Sequence, residues 1–280
     1  MTNEYRIAVL LPTRGRTDAL ERSVKSIVNR AVDPDSIQIL LAFDEDDTVG
    51  TEFFVKELQP WLYEKGIAYS AKLFKSLGYE GLNVYYNSLA QEASADWFFV
   101  WNDDSMMETA GWDRIITKRT GEFKIFKIHT HNEHPYSIFP IIPKAWVDTL
   151  GYFSRHQMID AEVSQVAYLL DLIEIVDIHA THDRADLTGN NKDETDAKRV
   201  RYEGNPQHPL DFHNPTFGKQ RLDDAERLVK YMEANDIDTA WWESVKAGKQ
   251  DPWVKLRAND INKQMFQYQA DPATGKVVKK

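Results

Sequence analysis

Cysteine is absent from the 280 residues, which excludes disulfides and thiolate-ligated zinc. A chain without cysteine fits a reducing compartment, so the expected location is cytoplasmic. Long apolar runs are missing too. None approaches the roughly 20 residues needed to span a bilayer, and the opening Met1-Thr2-Asn3-Glu4-Tyr5-Arg6 lacks the charged-then-apolar pattern of a signal peptide. Basic residues are outnumbered, 34 Lys and Arg against 44 Asp and Glu, leaving a formal charge of −10. That balance argues against broad binding to nucleic-acid phosphates. Internal repeats and low-complexity tracts are likewise absent. What remains is 42% hydrophobic and rich in aromatics. A sizeable core can form, in one large α/β domain with an appendage or in two modest domains.

The first hundred residues alternate between two kinds of pattern. Ile7-Ala8-Val9-Leu10-Leu11 is a continuous apolar run ended by Pro12, as in a central parallel strand. Asp18 and Glu21 have the spacing of a capping box, and Leu20, Val24, Ile27 and Val28 then recur at helical spacing. Residues 37–43 predict a second strand, 52–65 a helix, 68–74 a third strand and 82–93 a helix. The next strand ends at Asp103-Asp104. This alternation predicts right-handed βαβ units with helices on both faces.

Beyond residue 105 the pattern is mixed. Strands are expected at 124–129, 136–142 and 173–178, and helices at 145–150 and 160–170. From about Gly189 a polar loop is expected, then helices near 222–235, 240–246 and 251–267, and a frayed tail from Asp271.

Charged clusters fall at the predicted carboxyl ends of the strands, where ligands bind in open α/β sheets. Asp96-Trp97-Phe98-Phe99-Val100-Trp101-Asn102-Asp103-Asp104 is the most informative: a buried apolar strand runs straight into two adjacent carboxylates. Two such acids suit a hard divalent cation carrying a phosphorylated ligand, and a solvated acidic turn is the other reading. Pro12-Thr13-Arg14-Gly15-Arg16 follows the first strand, with a Gly for close approach and arginines for phosphate or carboxylate. An ordinary loop with solvated arginines has the same composition. Asp44-Glu45-Asp46-Asp47 follows the second strand, and Asp44 is the one placed to accept from a nucleobase or ribose.

Together these segments resemble the GT-A glycosyltransferases, most closely the family-2-like members. The resemblance rests on Val9 to Arg16, Asp44, Asn87 within Gly81 to Ala90, and Asn102-Asp103-Asp104. It implies an α/β fold: a GT-A (Rossmann-like) mixed, mainly parallel sheet flanked by helices, with a C-terminal helical extension. It further implies a nucleotide site at Pro12, Thr13, Arg14, Arg16, Asp44 and Asn87. Asp103 and Asp104 stand as the DxD-type pair, Asp103 toward sugar or ribose and Asp104 as the ligand of Mn²⁺ or Mg²⁺. His182 in His182-Asp183-Arg184 has the position of the histidine that completes the metal site in several branches, and Arg184 that of a charge facing the leaving diphosphate. His179 falls on the opposite face if the strand continues. Phe139 to Lys144 and Leu150 to Phe153 resemble the acceptor side. Asp160, with Glu162 in reserve, takes the place of the catalytic acid residue at the start of the next helix. A helix N-terminus that favours acids through its dipole is the alternative.

The implied activity is transfer of a single sugar from a UDP- or GDP-sugar to an acceptor hydroxyl by a soluble, metal-dependent enzyme. The Gln-x-x-Arg-Trp signature of processive synthases is absent. The expected boundaries are 1–188 for the catalytic domain (1–105 nucleotide-binding, 106–188 acceptor-side), 189–270 for the helical extension and 271–280 for the tail. Two other classes stay open: a sugar-phosphate nucleotidyltransferase, for which a single Gly in the first loop is sparse, and a non-catalytic nucleotide- or sugar-binding module. Donor, acceptor and stereochemical outcome are not legible in the residues.

Overall fold

The computed structural model describes residues 5–130, 134–183, 205–254, 268–270 and 277–279. Strands β1 (Tyr5–Thr13), β2 (Ile37–Asp44), β3 (Ala68–Phe74) and β4 (Ala95–Val100) form a parallel half-sheet. Between them run α1 (Thr17–Arg30), α2 (Thr48–Phe53) continuing into α3 (Gln59–Glu64), and α4 (Leu82–Glu92). After β4 come β5 (Ser105–Met107), α5 (Trp112–Thr117), β6 (Ile125–Thr130), β7 (Ile141–Pro143), α6 (Lys144–Leu150), α7 (Ile159–Leu170) and β8 (Ile173–His182). The eight-stranded order is β3-β2-β1-β4-β7-β6-β8-β5. β7 is antiparallel to both neighbours, β8 is parallel to β6, and β5 is antiparallel to β8. The mixed, mainly parallel α/β sheet expected from the sequence is the one observed.

Period-two alternation divides the core. Ala8, Leu10, Leu40, Phe98 and Val100 face α4, α6 and α7, whereas Ile7, Val9, Leu41, Phe99 and Trp101 face α1, α5 and the α2–α3 segment. Trp101 donates from Nε1 to Ser23 Oγ on α1 at 2.8 Å, and Ser23 donates to the Asn102 carbonyl at 2.8 Å. α1 is thereby fixed against the end of β4.

Several elements depart from expectation. The 136–142 strand shrinks to Ile141–Pro143, because Pro135 and Pro140 cannot donate to a ladder and the Ser137 N–H is given to Ser164 Oγ instead. β1 runs one residue past Pro12. Leu10 turns its carbonyl to Trp101 N, so Pro12, two residues on, presents its missing donor to the same side, beyond the end of β4. The Asp18–Glu21 capping box does not form; Arg16 is the N-cap without a side-chain bond, and Glu21 pairs with Lys25. The second helix starts earlier, at Thr48, where Asp47 caps it by accepting from Gly50 N at 3.0 Å. A π turn at Phe54–Leu58 precedes Pro60, whose ring would crowd the carbonyl four residues back in a regular helix. β5 and α5 were not anticipated, and β8 continues four residues past Ile178, so His182 ends a strand rather than following one.

C-terminal to the sheet, α8 (Pro215–Ala234) starts earlier than the sequence pattern indicates, with Asn214 accepting from Thr216 N as N-cap and Pro215 at the first helical position. α9 (Ala240–Lys246) lies at its expected place. Ala225, Leu228, Val229, Met232 and Trp242 belong to the same buried cluster as α6 and α7, so this extension shares the core of the sheet. Its polar side chains also serve the neighbouring helix: Arg227 donates to the Thr149 and Leu150 carbonyls at 2.9 and 2.8 Å, at the end of α6. Residues 268–270 and 277–279 pair as an antiparallel ribbon, β9 (Tyr268–Ala270) with β10 (Val277–Lys279), the latter within the stretch 271–280 where a frayed tail was expected. Most of the helix expected at 251–267, and the loop from Gly189, lie outside the described residues. Among the described residues no helix is long and apolar enough to cross a membrane.

Candidate active site

The carboxyl ends of β1, β2 and β4 carry three loops that are bonded to one another. Gly15 adopts φ +68°, a conformation that favours glycine, and its N–H donates to Asp47 Oδ2 at 2.8 Å. Arg14 donates to Asp44 Oδ2 at 2.8 Å and also pairs with Asp46. Asp44, nearly buried, takes further bonds from the Tyr85 hydroxyl and, at 3.4 Å, from Ser76. Burial and the bond to Asp44 push the Tyr85 phenol up to about 12. The acidic run is therefore largely a folded structure rather than a solvated loop: Asp44 and Asp46 hold Arg14, and Asp47 caps α2.

Asp103 and Asp104 meet a single guanidinium. Arg16 pairs with Asp103 and donates to Asp104 Oδ2 at 3.2 Å, while Thr13 Oγ1 donates to Asp103 Oδ2 at 2.7 Å. Asp103 is 1% exposed. Burial pushes its carboxyl up to about 6 against the pull of Arg16, and the neighbouring Asp104 adds to the rise. Burial also opposes ionisation of Asp104, but the hydrogen bond and charge of His182, with Arg16, hold it below the ordinary carboxylate value. The two acids thus differ in environment. Asp103 is an internal strut beneath Arg16, and Asp104, slightly more exposed, reaches toward His182.

His182 comes to Asp104 by strand pairing: Ser105 is opposite His182 in the β5–β8 ladder, and Asp183 N donates to the Asp104 carbonyl at 2.8 Å. His182 Nε2 lies 3.3 Å from Asp104 Oδ1, and the ring packs edge-on against Phe139. His179 points the other way, half exposed and stacked on His129. A cavity of about 330 Å³ opens here, lined among others by Ala19, Arg22, Asp103, Asp104, Met106 and His182. Oxygen and nitrogen ligands stand about 2.0–2.2 Å from a Mg²⁺- or Zn²⁺-sized ion, so two adjacent octahedral ligands are roughly 3 Å apart. The Asp104–His182 separation fits that spacing. Among the described residues no group of three His, Asp or Glu gathers around one point.

The other sequence-marked residues divide in two. Asp160 lies half-buried in the first turn of α7, and its charge, with those of Asp103 and Asp104, raises the Tyr86 hydroxyl, whose burial is the larger cause. Tyr86 in turn donates to the Trp101 carbonyl and Asn102 Oδ1 at 3.0 and 3.1 Å, so Asp160 shares an electrostatic neighbourhood with the acidic pair. Asn87 and Glu162 instead hold the α6–α7 loop. Asn87 Oδ1 accepts from Phe153 N at 2.7 Å and Ser154 N at 3.0 Å, and its amide donates to the Ser154 carbonyl at 2.8 Å. Glu162 Oε2 accepts from the Ser154 hydroxyl and from Arg155 N and His156 N, both at 2.9 Å. Arg184 lies outside the described residues. Arg22 was not singled out from the sequence, although Arg16, Ala19 and Arg22 recur every three residues at the start of α1, the spacing of one helix face.

Neither a family model nor a curated protein sequence matches the chain. Solved structures do. The fold is similar to that of the mannosyltransferase PcManGT from Pyrobaculum calidifontis, solved in complex with GDP-Man and Mn²⁺ (TM-score 0.53, 10% identity, covering 91% of this chain and 87% of that one). It is also similar to S. aureus TarS 1-349 in complex with UDP-GlcNAc (TM-score 0.51, 10% identity) and with UDP (TM-score 0.50, 12% identity), each covering 98% of this chain and 96% of the other.

Proposed function

We propose, from the GT-A glycosyltransferase fold of this chain, that it transfers a single sugar from a nucleotide-sugar donor, a UDP- or GDP-sugar, to an acceptor hydroxyl. One observation carries the reading: Asp104 Oδ1 and His182 Nε2 lie 3.3 Å apart at the open ends of β4 and β8, beside a cavity and beneath Arg16. Those two residues would hold Mn²⁺ or Mg²⁺, which neutralises charge on a diphosphate leaving group when bound.

The residues of the chain supply the rest. Arg14 and the Asp44 loop hold the nucleoside end, the former kept in place by the carboxylates it already pairs with. Asp103 keeps Arg16 over the site. Asp160 takes the proton of the acceptor hydroxyl as its oxygen attacks the anomeric carbon. The bond from that carbon to the phosphate oxygen breaks, and the electron pair leaves with the nucleoside diphosphate. Glu162 is already engaged by three donors and acts as a loop anchor, which leaves Asp160 as the base.

The test is a thermal-shift series with UDP-, GDP-, CMP- and dTDP-sugars, each with Mn²⁺, Mg²⁺ or EDTA. A donor that binds only the native state raises the melting temperature by mass action. Metal-dependent stabilisation by one donor, lost in Asp104→Ala, is the expected result, with Asp160→Asn binding that donor but failing to transfer. No shift with any donor under any metal condition would end the transferase reading.

A further inference from the structure

The second turn of α1 carries an arginine to the cavity wall. Arg22 lines it together with Ala19 from α1, Asp103 and Asp104 from the β4 end, and His182 from β8. The alanine three residues before it, with no side chain beyond Cβ, leaves the wall open there. The arginines of this site differ in what they already do. Arg14 is engaged by Asp44 and Asp46, and Arg16 by Asp103 and Asp104. Arg22 is exposed and, among the described residues, makes no hydrogen bond and no ion pair, although Asp103, Asp104 and Asp183 line the same cavity.

A guanidinium placed among carboxylates yet paired with none of them is poised for an anion from outside the chain. Its planar fork matches a phosphate group, to which it gives two parallel, charge-assisted hydrogen bonds. On the reading above, on which this inference rests, the diphosphate of the donor enters beside Asp104 and His182, which is the cavity Arg22 faces. A diphosphate would also bring negative charge into a space already walled by acids, and Arg16 is bound to two of them. Beside a metal held by Asp104 and His182, Arg22 would supply a further positive charge there.

We propose that Arg22 binds the donor diphosphate: its guanidinium takes the phosphate that bears the sugar and stays with it as the nucleoside diphosphate departs. The proposal makes nucleotide affinity depend on Arg22 through the phosphates and not through the base.

The experiment is calorimetric titration of wild type, Arg22→Gln and Arg22→Lys with UDP, GDP, uridine and guanosine, all with MnCl₂ present. Arg22 is exposed and unbonded, so the substitutions should leave the ligand-free melting temperature within a degree or two. For whichever diphosphate the wild type binds, Arg22→Gln should weaken affinity by about 10- to 100-fold, the loss expected for hydrogen bonds to a charged group. The matching nucleoside should bind all three proteins alike, and Arg22→Lys should recover only part of the loss. Equal diphosphate affinity in wild type and Arg22→Gln overturns the assignment and leaves the transferase reading standing. So does a nucleoside affinity that falls by the same factor. A wild type that binds neither diphosphate removes the assignment and the transferase reading together.

Discussion

Replacing Glu162 separates a loop anchor from a catalytic base. The residue is 3% exposed, and one carboxylate oxygen gathers the Ser154 hydroxyl and the Arg155 and His156 N–H groups. In Glu162→Ala, the Ser154 hydroxyl can turn to the His156 carbonyl, which it already meets at 2.8 Å, and His156 N keeps its 3.1 Å contact to Ser154 Oγ. Arg155 N is left without its acceptor. A buried orphaned donor costs about 1–3 kcal/mol, and the weakened second bond and lost packing add to it, for a total of roughly 3 kcal/mol. Glu162→Gln keeps an acceptor oxygen and should cost about 1 kcal/mol. Burial raises the Glu162 carboxyl above its ordinary value of 4.5, against the pull of Ser154 and the two N–H groups. An acid raised on folding contributes fully below its unfolded pKa and loses that contribution as pH climbs through the folded one. The stability advantage of wild type over Glu162→Gln should therefore shrink as pH rises from 4.5. Urea unfolding of the three proteins at several pH values reads all of this, and transfer assays complete it: Glu162→Gln should keep at least about a tenth of wild-type turnover, whereas Asp160→Asn should lose about 10²- to 10⁴-fold. Two results would refute the reasoning: Glu162→Ala within about 0.5 kcal/mol of wild type, or a well-folded Glu162→Gln as inactive as Asp160→Asn.

His156 gives a second pH signature. Its Nδ1 accepts from Met158 N at 2.9 Å and its Nε2 meets the Leu210 carbonyl at 3.2 Å, which fixes a neutral ring, and burial lowers its pKa to about 4. Because the folded value lies below the unfolded one, the stability it contributes is present above pH 6.5 and lost as pH falls toward 4, by about 3 kcal/mol. His156→Gln should flatten that slope in urea titrations, and an unchanged slope would contradict the assignment. Leu228 tests the unity of the fold: it is fully buried on α8 within the sheet's own core, so Leu228→Ala should cost about 2–5 kcal/mol in one transition seen alike by circular dichroism and tryptophan fluorescence. Two separate transitions would mean that the extension unfolds on its own.

The centre of the parallel half-sheet was legible because β1, β2 and β4 are buried on both faces and read as nearly continuous apolar runs, as in Val9 to Leu11 or Trp97 to Val100, whereas the edge strand β3 leaves Ala71 and Leu73 exposed. The pairing of Asp103 with Asp104 at a strand end was equally visible. Their different environments were not, since Arg16 reaches them from another loop and no local pattern reports it. Residues 136–140 read as a strand because their apolar side chains suit a core, yet Ile138 and Phe139 are buried in the same cluster as Trp101 without any ladder. Three-residue strands such as β5 carry too few positions for any period. The functional reading of Asn87 and Glu162 came from resemblance alone, and in the fold both are spent on one loop. Arg22 was missed because an exposed arginine in an amphipathic helix has no signature until the opposite wall of the cavity is known.

The β5–β8 ladder sets Asp104 and His182 by hydrogen-bond register, whatever length of chain connects them. Between those strands the polypeptide passes through α5, β6, β7, α6 and α7, and insertions in their connecting loops leave the pair in place. One residue added or removed inside β8 would instead turn His182 to the face now held by His179. Among relatives of this chain, length variation should therefore collect in the loops between residues 108 and 172 and spare 105–107 and 173–182. Related sequences aligned on those two short strands should keep the histidine in step with the second aspartate even where the intervening lengths differ.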